Sequence, residues 1–391
     1  MHHIYHTYLQ MIEHTFEGKI QSQDEAALFD LARKHFTAPF LLPYLDSGAS
    51  FQDLKYQTKM MMFHYYQIEH FTNITVCLLE KQNIPYFLLK GISLAAYYPL
   101  PEHRKLGDLY IPDPDKVAEA RKLLEINGYI LDPEVSDHHI TYTYTFPKTG
   151  RTYILELHFR IVGKYQYDRA NQVVDSVYNA HALSSHIQTI HDKAYQVLPP
   201  TEYTFYMIHH MLKYYLYSGF GIRLLCDFAF YVKARHTEID FPQIHTWCKD
   251  SHIFHLYEII LESCRLWLGL SPAIDPEIHC NKKDCKDFME KVLSDSDMGT
   301  NEDRALVNGG SYKKVTLRTY FKEGHLQMHV RFPKLGKILL LWPILWVITY
   351  GYFLRNTYRI RHTTLKQTLR DFKDSNHASR LIQVFDNSKD H

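Results

Sequence analysis

Between Thr141 and Ile161 the chain reads Thr-Tyr-Thr-Tyr-Thr-Phe146, then Pro147-Lys-Thr-Gly150, then Arg151-Thr-Tyr-Ile-Leu-Glu-Leu-His-Phe-Arg-Ile161. Successive side chains point to opposite faces of a strand, so two alternating runs of strand formers joined by a Pro/Gly turn predict a β-hairpin. Upstream, Ile84 to Lys90 is a short apolar run closed by Gly91, a strand and a turn. The segment Ser93 to Tyr98 is helix-like, and Leu106 to Ile111 is a second strand that stops at Pro112-Asp113-Pro114. Asp113 as N-cap with Pro114 at the first helical position starts a helix that carries Val117, Ala120 and Leu124 on one face and ends at Asn127-Gly128.

On both sides the texture is different. From Tyr8 to about Leu42 and from Phe51 to Gln82 apolar residues recur at three- and four-residue spacing, as in Met60, Phe63, Ile68, Phe71, Ile74 and Leu78. Thr201 to about Leu270 returns to helix, broken at Asp240-Phe-Pro242 and Ser271-Pro272, and the C-terminal part is helical again. No repeat or low-complexity linker is present, and Asp295 to Lys314 is the best candidate for a mobile loop. The expected organisation is α+β: an N-terminal helical region over 1–82, a mixed-sheet core over 83–165 and a C-terminal helical region over 166–391. A chain of 391 residues is long enough for two or three such packed units.

Lys plus Arg at 44 against Asp plus Glu at 43 leaves no overall field to steer the chain onto nucleic acid, and no nucleic-acid reading motif appears. The six cysteines lack paired spacing, and Met1 to His6 lacks the positive start and apolar run of a signal peptide. A reducing, cytoplasmic setting is therefore expected. The 26 histidines are read as surface and core residues rather than as ligands.

Alternation puts Asp108 and Tyr110 on one face of their strand, and puts Glu156 on one face with Ile154, His158 and Arg160. Side by side, the two strands bring Asp108 and Glu156 together beside Lys90-Gly91. Carboxylates gathered in this way suit Mg²⁺, a hard cation that completes its shell with water and substrate phosphates, and two such ions would clamp the attacking and leaving oxygens of phosphoryl or nucleotidyl transfer.

The order Leu89-Lys90-Gly91, Tyr97-Tyr98-Pro99, Arg104-Lys-Leu-Gly-Asp108-Leu-Tyr110, Gly128-Tyr129 and Leu155-Glu156-Leu157-His158 resembles the uncharacterised bacterial nucleotidyltransferase family of the DNA polymerase β superfamily. His209-His210 through Lys213, Gly221-Ile-Arg223, Asp227 and Pro343-x-x-Trp346 also look like family features. The resemblance implies a nucleotidyltransferase-fold mixed sheet, an NTP at a Gly-Ser turn and two divalent ions, Mg²⁺ or Mn²⁺, on an Asp-x-Asp pair and a third carboxylate. Carried over by position, Asp108 is the first Asp, Glu156 the third carboxylate, and Gly91 with Ser93 the phosphate turn, with Lys90 and Arg104 as further phosphate contacts. It implies transfer of a nucleoside monophosphate to an acceptor hydroxyl, in a family associated with surface polysaccharide. The acceptor itself is unknown.

Tyr110 stands where the second Asp belongs, and a phenol with an ordinary pKa near about 10 supplies no charge to a metal at neutral pH. Asp113, as a helix cap, and Asp115 are not obvious replacements. The rival reading is a catalytically impaired protein that keeps the fold and binds nucleotide or a partner. Each site residue also has a plainer role: Asp108 as a strand-end cap, Glu156, His158 and Arg160 as an ion-paired face, and Lys90 and Arg104 as partners of neighbouring acids. Adjacent on a helix, His209 and His210 diverge by about 100 degrees and cannot share a ligand. His279-Cys280 with Cys285 has a Cys-x4-Cys spacing outside most zinc patterns and no second pair, so free thiols are expected. The apolar run Ile338 to Leu354 is 17 residues long and contains Pro343. It is read as a buried helix, with peripheral membrane contact through 338–361 as the alternative.

Overall fold

A computed structural model describes residues 1–359, apart from 19, 46–47, 104–107, 134–135, 166, 182, 218–219, 295–323, 326 and 330. Arg104 and the candidate mobile loop Asp295 to Lys314 thus lie outside the described residues. The chain opens with helices α1 (His3–Glu13), α2 (Ser22–Lys34), the short α3 (Ala38–Leu41) and the long α4 (Ala49–Lys81). Next come β1 (Phe87–Leu89), α5 (Gly91–Ala95), β2 (Asp108–Tyr110), α6 (Pro114–Ile126), β3 (Ile130–Leu131), and the hairpin β4 (His139–Thr145) and β5 (Thr152–His158). Helix α7 (Asp168–Val177) leads to a second hairpin, β6 (His186–Ile190) and β7 (Lys193–Val197). Helices α8 (Pro200–Tyr217), α9 (Ile222–Arg235), α10 (Phe241–Asp250), α11 (Phe254–Trp267) and α12 (Lys282–Ser294) complete the main body, and a further helix spans Trp342–Arg359.

The seven strands form a mixed sheet in the order β3-β4-β5-β2-β1-β7-β6, so the architecture is α+β as expected. Strands β1 and β2 are antiparallel, whereas β2 runs parallel to β5 and β1 parallel to β7. The sheet does not stop at 165: β6 and β7 pair into it beyond that boundary, and Val197 lies opposite Leu88. Ile187, Thr189, Ile190, Tyr195 and Val197 are strand formers, but each run is only five residues long and they lie outside the 83–165 span that the motifs mark.

One sheet face is covered by α4 and α6. Phe71 stacks on Tyr129, Tyr144 and Tyr153 at ring separations of 6.0, 6.0 and 5.4 Å, and Thr75 is hydrogen-bonded to the Tyr129 hydroxyl at 2.7 Å. Such offset aromatic contacts add to the burial of the rings themselves. The α6 reading holds in detail: the Asp113 carboxylate accepts the Asp115 amide, and Val117, Ala120 and Leu124 are buried. The α4 stripe holds in part. Met60 and Phe63 are exposed, while Leu54, Tyr65, Phe71, Val76 and Leu79 face the core. A helix of 33 residues outreaches the sheet it covers, so its apolar residues are not all met by a partner.

The segment just after α7 is tied to β2 through Tyr110 and Tyr178, α8 is tied to the Lys90 turn through Tyr203, and α10 and α11 pack against α7 to α9, with α12 on α11. The first helices join this assembly: His35 Nε2 lies 3.3 Å from the Leu293 carbonyl at the end of α12. The apolar C-terminal run does not pack as a buried helix. Leu340, Val347 and Ile344 are 90, 73 and 59 % exposed, and no helix among the described residues is long and apolar enough to cross a membrane.

Candidate functional site

The site is built on the sheet face that carries Tyr110 and His158. In the parallel β2–β5 pair Leu109 lies opposite Leu157 and Tyr110 opposite His158, so one step back along both strands Asp108 falls beside Glu156. The antiparallel β1–β2 pair sets Leu89 opposite Asp108, which brings the Lys90-Gly91 turn to the same end of the sheet. The expectation that these three positions meet at one sheet end rests on alternation alone, and the register puts their backbones there.

The turn is tightly wired. Lys90 has φ 56° and ψ −142°, and Gly91 has φ 56°. A non-glycine residue in that region is strained by about 1–3 kcal/mol and persists when its surroundings hold it. Here the holder is Tyr203 of α8. Its hydroxyl accepts the Lys90 amide at 2.7 Å and bonds the Ser93 hydroxyl at 2.8 Å, and Ser93 in turn donates to the Lys90 carbonyl at 2.6 Å. The Gln188 side-chain amide of β6 donates to the Ser93 carbonyl at 3.0 Å. Ser93 is buried, and its hydroxyl is committed to shaping the turn.

At the other end of β2, Tyr110 is buried and its hydroxyl donates to the Tyr178 carbonyl at 2.5 Å, just beyond α7. Burial pushes its pKa well up, against the lowering effect of Arg160. It is a tie between sheet and helical cover, and it offers no charge to a metal.

Glu156 is partly exposed and lies 3.3 Å from His158 Nε2. Across the hairpin His139 faces His158. His138 joins them, and ring nitrogens of the three histidines lie within 4.8 Å of one another. Asp137 and Lys213 bracket this cluster: His138 Nδ1 donates to the Asp137 carboxylate at 2.7 Å, and the Lys213 ammonium donates to His138 Nε2 at 3.0 Å. Burial first, and then Lys213, His158 and His139, lower the His138 pKa to about 4 against the raising effect of the Asp137 bond. For Asp137 burial alone would raise the pKa, but the His138 bond and the Lys164 amide overcome this and hold it at about 2. Burial and the surrounding cationic and imidazole groups thus favour the neutral form of His138.

Arg160 is structural: it bonds Asp175 at 2.8 Å and the Val162 carbonyl at 2.5 Å. His209 and His210 are both buried and face different partners, Tyr165 at 2.7 Å for His209 Nδ1 and the stacked Tyr206 ring for His210. On α9 Asp227 accepts the Tyr98 hydroxyl at 2.7 Å, a tie between α9 and the chain just after the turn. Tyr203, His138 and His139 escaped sequence reasoning. Tyr203 reaches the site across 113 residues, and His138 and His139 stand just before and at the start of β4; no local pattern announces such contacts.

The mixed seven-stranded sheet with its helical cover is consistent with a nucleotidyltransferase-like fold. Residues 21–269, well over half of the chain, match the family described as uncharacterised nucleotidyltransferase, and the chain belongs to that family. Comparison with curated proteins gives no match. Among solved structures, an antigenic nucleotidyltransferase-like protein from Paracoccidioides brasiliensis is similar at 15% identity and a TM-score of 0.33, covering 52% of this chain and 95% of that one. A likeness of that size says nothing about the chemistry of this chain.

Proposed function

We propose that this protein binds a nucleoside triphosphate at the Lys90-Gly91 end of the sheet and transfers its nucleoside monophosphate to an acceptor hydroxyl. The supporting observation is the β2–β5 register, which sets Asp108 beside Glu156 next to that turn. Lys90, Gly91 and Arg104 are the proposed phosphate contacts. Ser93 acts by holding the turn, and Lys213 adds a cation on the Glu156 side.

Asp108 and Glu156 are donors suited to a single hard cation, Mg²⁺ or Mn²⁺. When bound, such an ion would neutralise phosphate charge and polarise the phosphoryl oxygens. A second ion is not accommodated where Tyr110 is buried and donates its hydroxyl to a carbonyl. The chain's own residues bind and orient the triphosphate and present the acidic pair to the incoming hydroxyl. The setting proposed is cytoplasmic, with a sugar or lipid-linked acceptor as in surface-polysaccharide synthesis.

Burial of Tyr110 favours a second reading, in which nucleotide is bound and not transferred. Calorimetry with ATP and GTP, with and without Mg²⁺, on the native chain and on Asp108→Ala and Lys90→Ala, tests the first half. Release of pyrophosphate in the presence of candidate acceptors tests the second. Metal-dependent binding lost in Asp108→Ala supports the site, and binding without pyrophosphate across acceptor classes moves the protein to the second reading. Failure of the native chain to bind either nucleotide overturns both.

A further inference from the structure

Away from the sheet, the first turn of α11 and the start of α12 meet across the segment that joins them. His255 Nε2, Cys280 Sγ and an Asp284 carboxylate oxygen all lie within 4.8 Å of one another. The match to the nucleotidyltransferase family ends at residue 269, so two of the three belong to a part of the chain that the match does not cover.

Several features distinguish this cluster from a chance gathering. His255 Nδ1 donates to the Glu258 carboxylate at 3.0 Å, one turn along the same helix. That bond fixes the tautomer, so Nε2 carries the lone pair. It is the arrangement by which a carboxylate orients a metal-binding imidazole and raises its basicity. Nε2 itself is shielded from solvent and has no hydrogen-bond partner, an uncommon condition for a buried ring nitrogen.

The loop is also held stiffly. Arg265 donates to the carbonyls of Ile274, Asp275 and Ile278 at 2.6, 2.7 and 2.6 Å, and the Asp275 carboxylate is held by His245 at 2.8 Å and Tyr257 at 2.5 Å. Cys280 is therefore delivered to the cluster by a rigid segment. Cys285, buried on α12, lies beside Cys280. A thiolate, an imidazole and a carboxylate together are a borderline-soft set that suits zinc, whereas Mg²⁺ takes oxygen ligands.

We propose that His255, Cys280 and Asp284 bind one Zn²⁺, with solvent in the fourth position and Glu258 orienting His255, as a staple that fastens α12 and the joining loop to α11. Ligand atoms of a tetrahedral zinc site stand roughly 3.5 Å apart, so small side-chain rotations close the cluster onto the ion. Binding displaces the thiol proton of Cys280, so zinc uptake releases protons and strengthens as pH rises. The neighbouring His279, though next to Cys280 in sequence, is not a ligand.

The full chain, stripped of metal with a chelator and kept reduced, is titrated with Zn²⁺ by calorimetry and with Co²⁺ by absorption. The expected result is a single equivalent bound, sulfur-to-cobalt charge transfer in the near ultraviolet, and a melting temperature raised by zinc. Cys280→Ser should abolish the charge-transfer band and His255→Gln should weaken zinc by at least about 100-fold, while Glu258→Gln should weaken it by about 10–100-fold. His279→Gln should change nothing. Circular dichroism confirms that each variant is folded, and Cys285→Ala, which removes the neighbour and keeps the ligands, should still bind. Absence of zinc binding in the reduced native chain overturns the proposal, as does binding untouched by Cys280→Ser and His255→Gln. So does a purified chain that holds a Cys280–Cys285 disulfide and takes up no metal once reduced.

Discussion

At the residue scale, Tyr203 and His138 matter through what they hold. Tyr203 supplies one hydroxyl to two bonds at a strained turn, so Tyr203→Phe leaves a buried Lys90 amide and a Ser93 hydroxyl without it. An unmet buried donor costs about 1–3 kcal/mol, and the expected loss of stability is of that size in urea denaturation. A loss under about 0.5 kcal/mol would mean that the turn is held by other contacts. His138 gives a pH signature. Its folded pKa of about 4 lies below the 6.5 of an unfolded histidine, so between these values the unfolded chain binds more protons and stability rises with pH. The chain should therefore lose stability as pH falls from about 6.5 to about 4, by on the order of 3 kcal/mol from this residue. Buried His209, lowered to about 3 by burial and then by Arg160, acts in the same direction. A denaturation midpoint flat across that range would show that His138 is already protonated in the folded protein. Beside the proposed role, Arg160 is ion-paired with Asp175, and Glu156 lies within hydrogen-bonding distance of His158.

At the element scale, what was legible followed from local rules. Alternation located β4 and β5, the Asp113-Pro114 cap located α6, and the Lys-Gly closure located β1 with its turn. The α4 stripe was only half legible, because periodicity shows that a helix has an apolar face and does not show how far its partner extends. The difference is measurable: Phe71→Ala should cost about 3–5 kcal/mol, the range for a buried aromatic, whereas Met60→Ala and Phe63→Ala should each stay within about 0.5 kcal/mol. Thermal and urea unfolding of the three variants decides it, and equal losses would mean that the exposed end of α4 is covered in solution. β2 sets a similar limit on repair of the acidic motif. Tyr110→Phe should lose about 1 kcal/mol with the bond to the Tyr178 carbonyl. Tyr110→Asp places a carboxylate at a 2 % exposed position and should destabilise by several kcal/mol rather than restore a second metal ligand. A stable Tyr110→Asp variant with stronger Mg²⁺-dependent nucleotide binding would refute this.

At the scale of the whole molecule, the sheet is completed by parts of the chain far from its centre. The acidic pair and its turn come from residues 90–156, yet β1 is flanked by β2 and by β7, and Tyr203 of α8 braces the turn from outside that span. The sequence hid this because the β1–β7 pairing joins Leu88 to Val197 through segments with no shared local pattern. A fragment limited to residues 83–165 would leave β1 with an open edge, the Lys90 turn without the Tyr203 hydroxyl, and the aromatic face of Tyr129, Tyr144 and Tyr153 stripped of Phe71. Uncovered edge strands and apolar faces of that kind aggregate. The fragment should therefore be insoluble or unfolded by circular dichroism, whereas 1–294 should fold cooperatively, because it retains α4, β6, β7, α8 and the contact between His35 and the end of α12. A folded, monomeric 83–165 fragment would show that the sheet core is autonomous and that the surrounding helices serve something other than its stability.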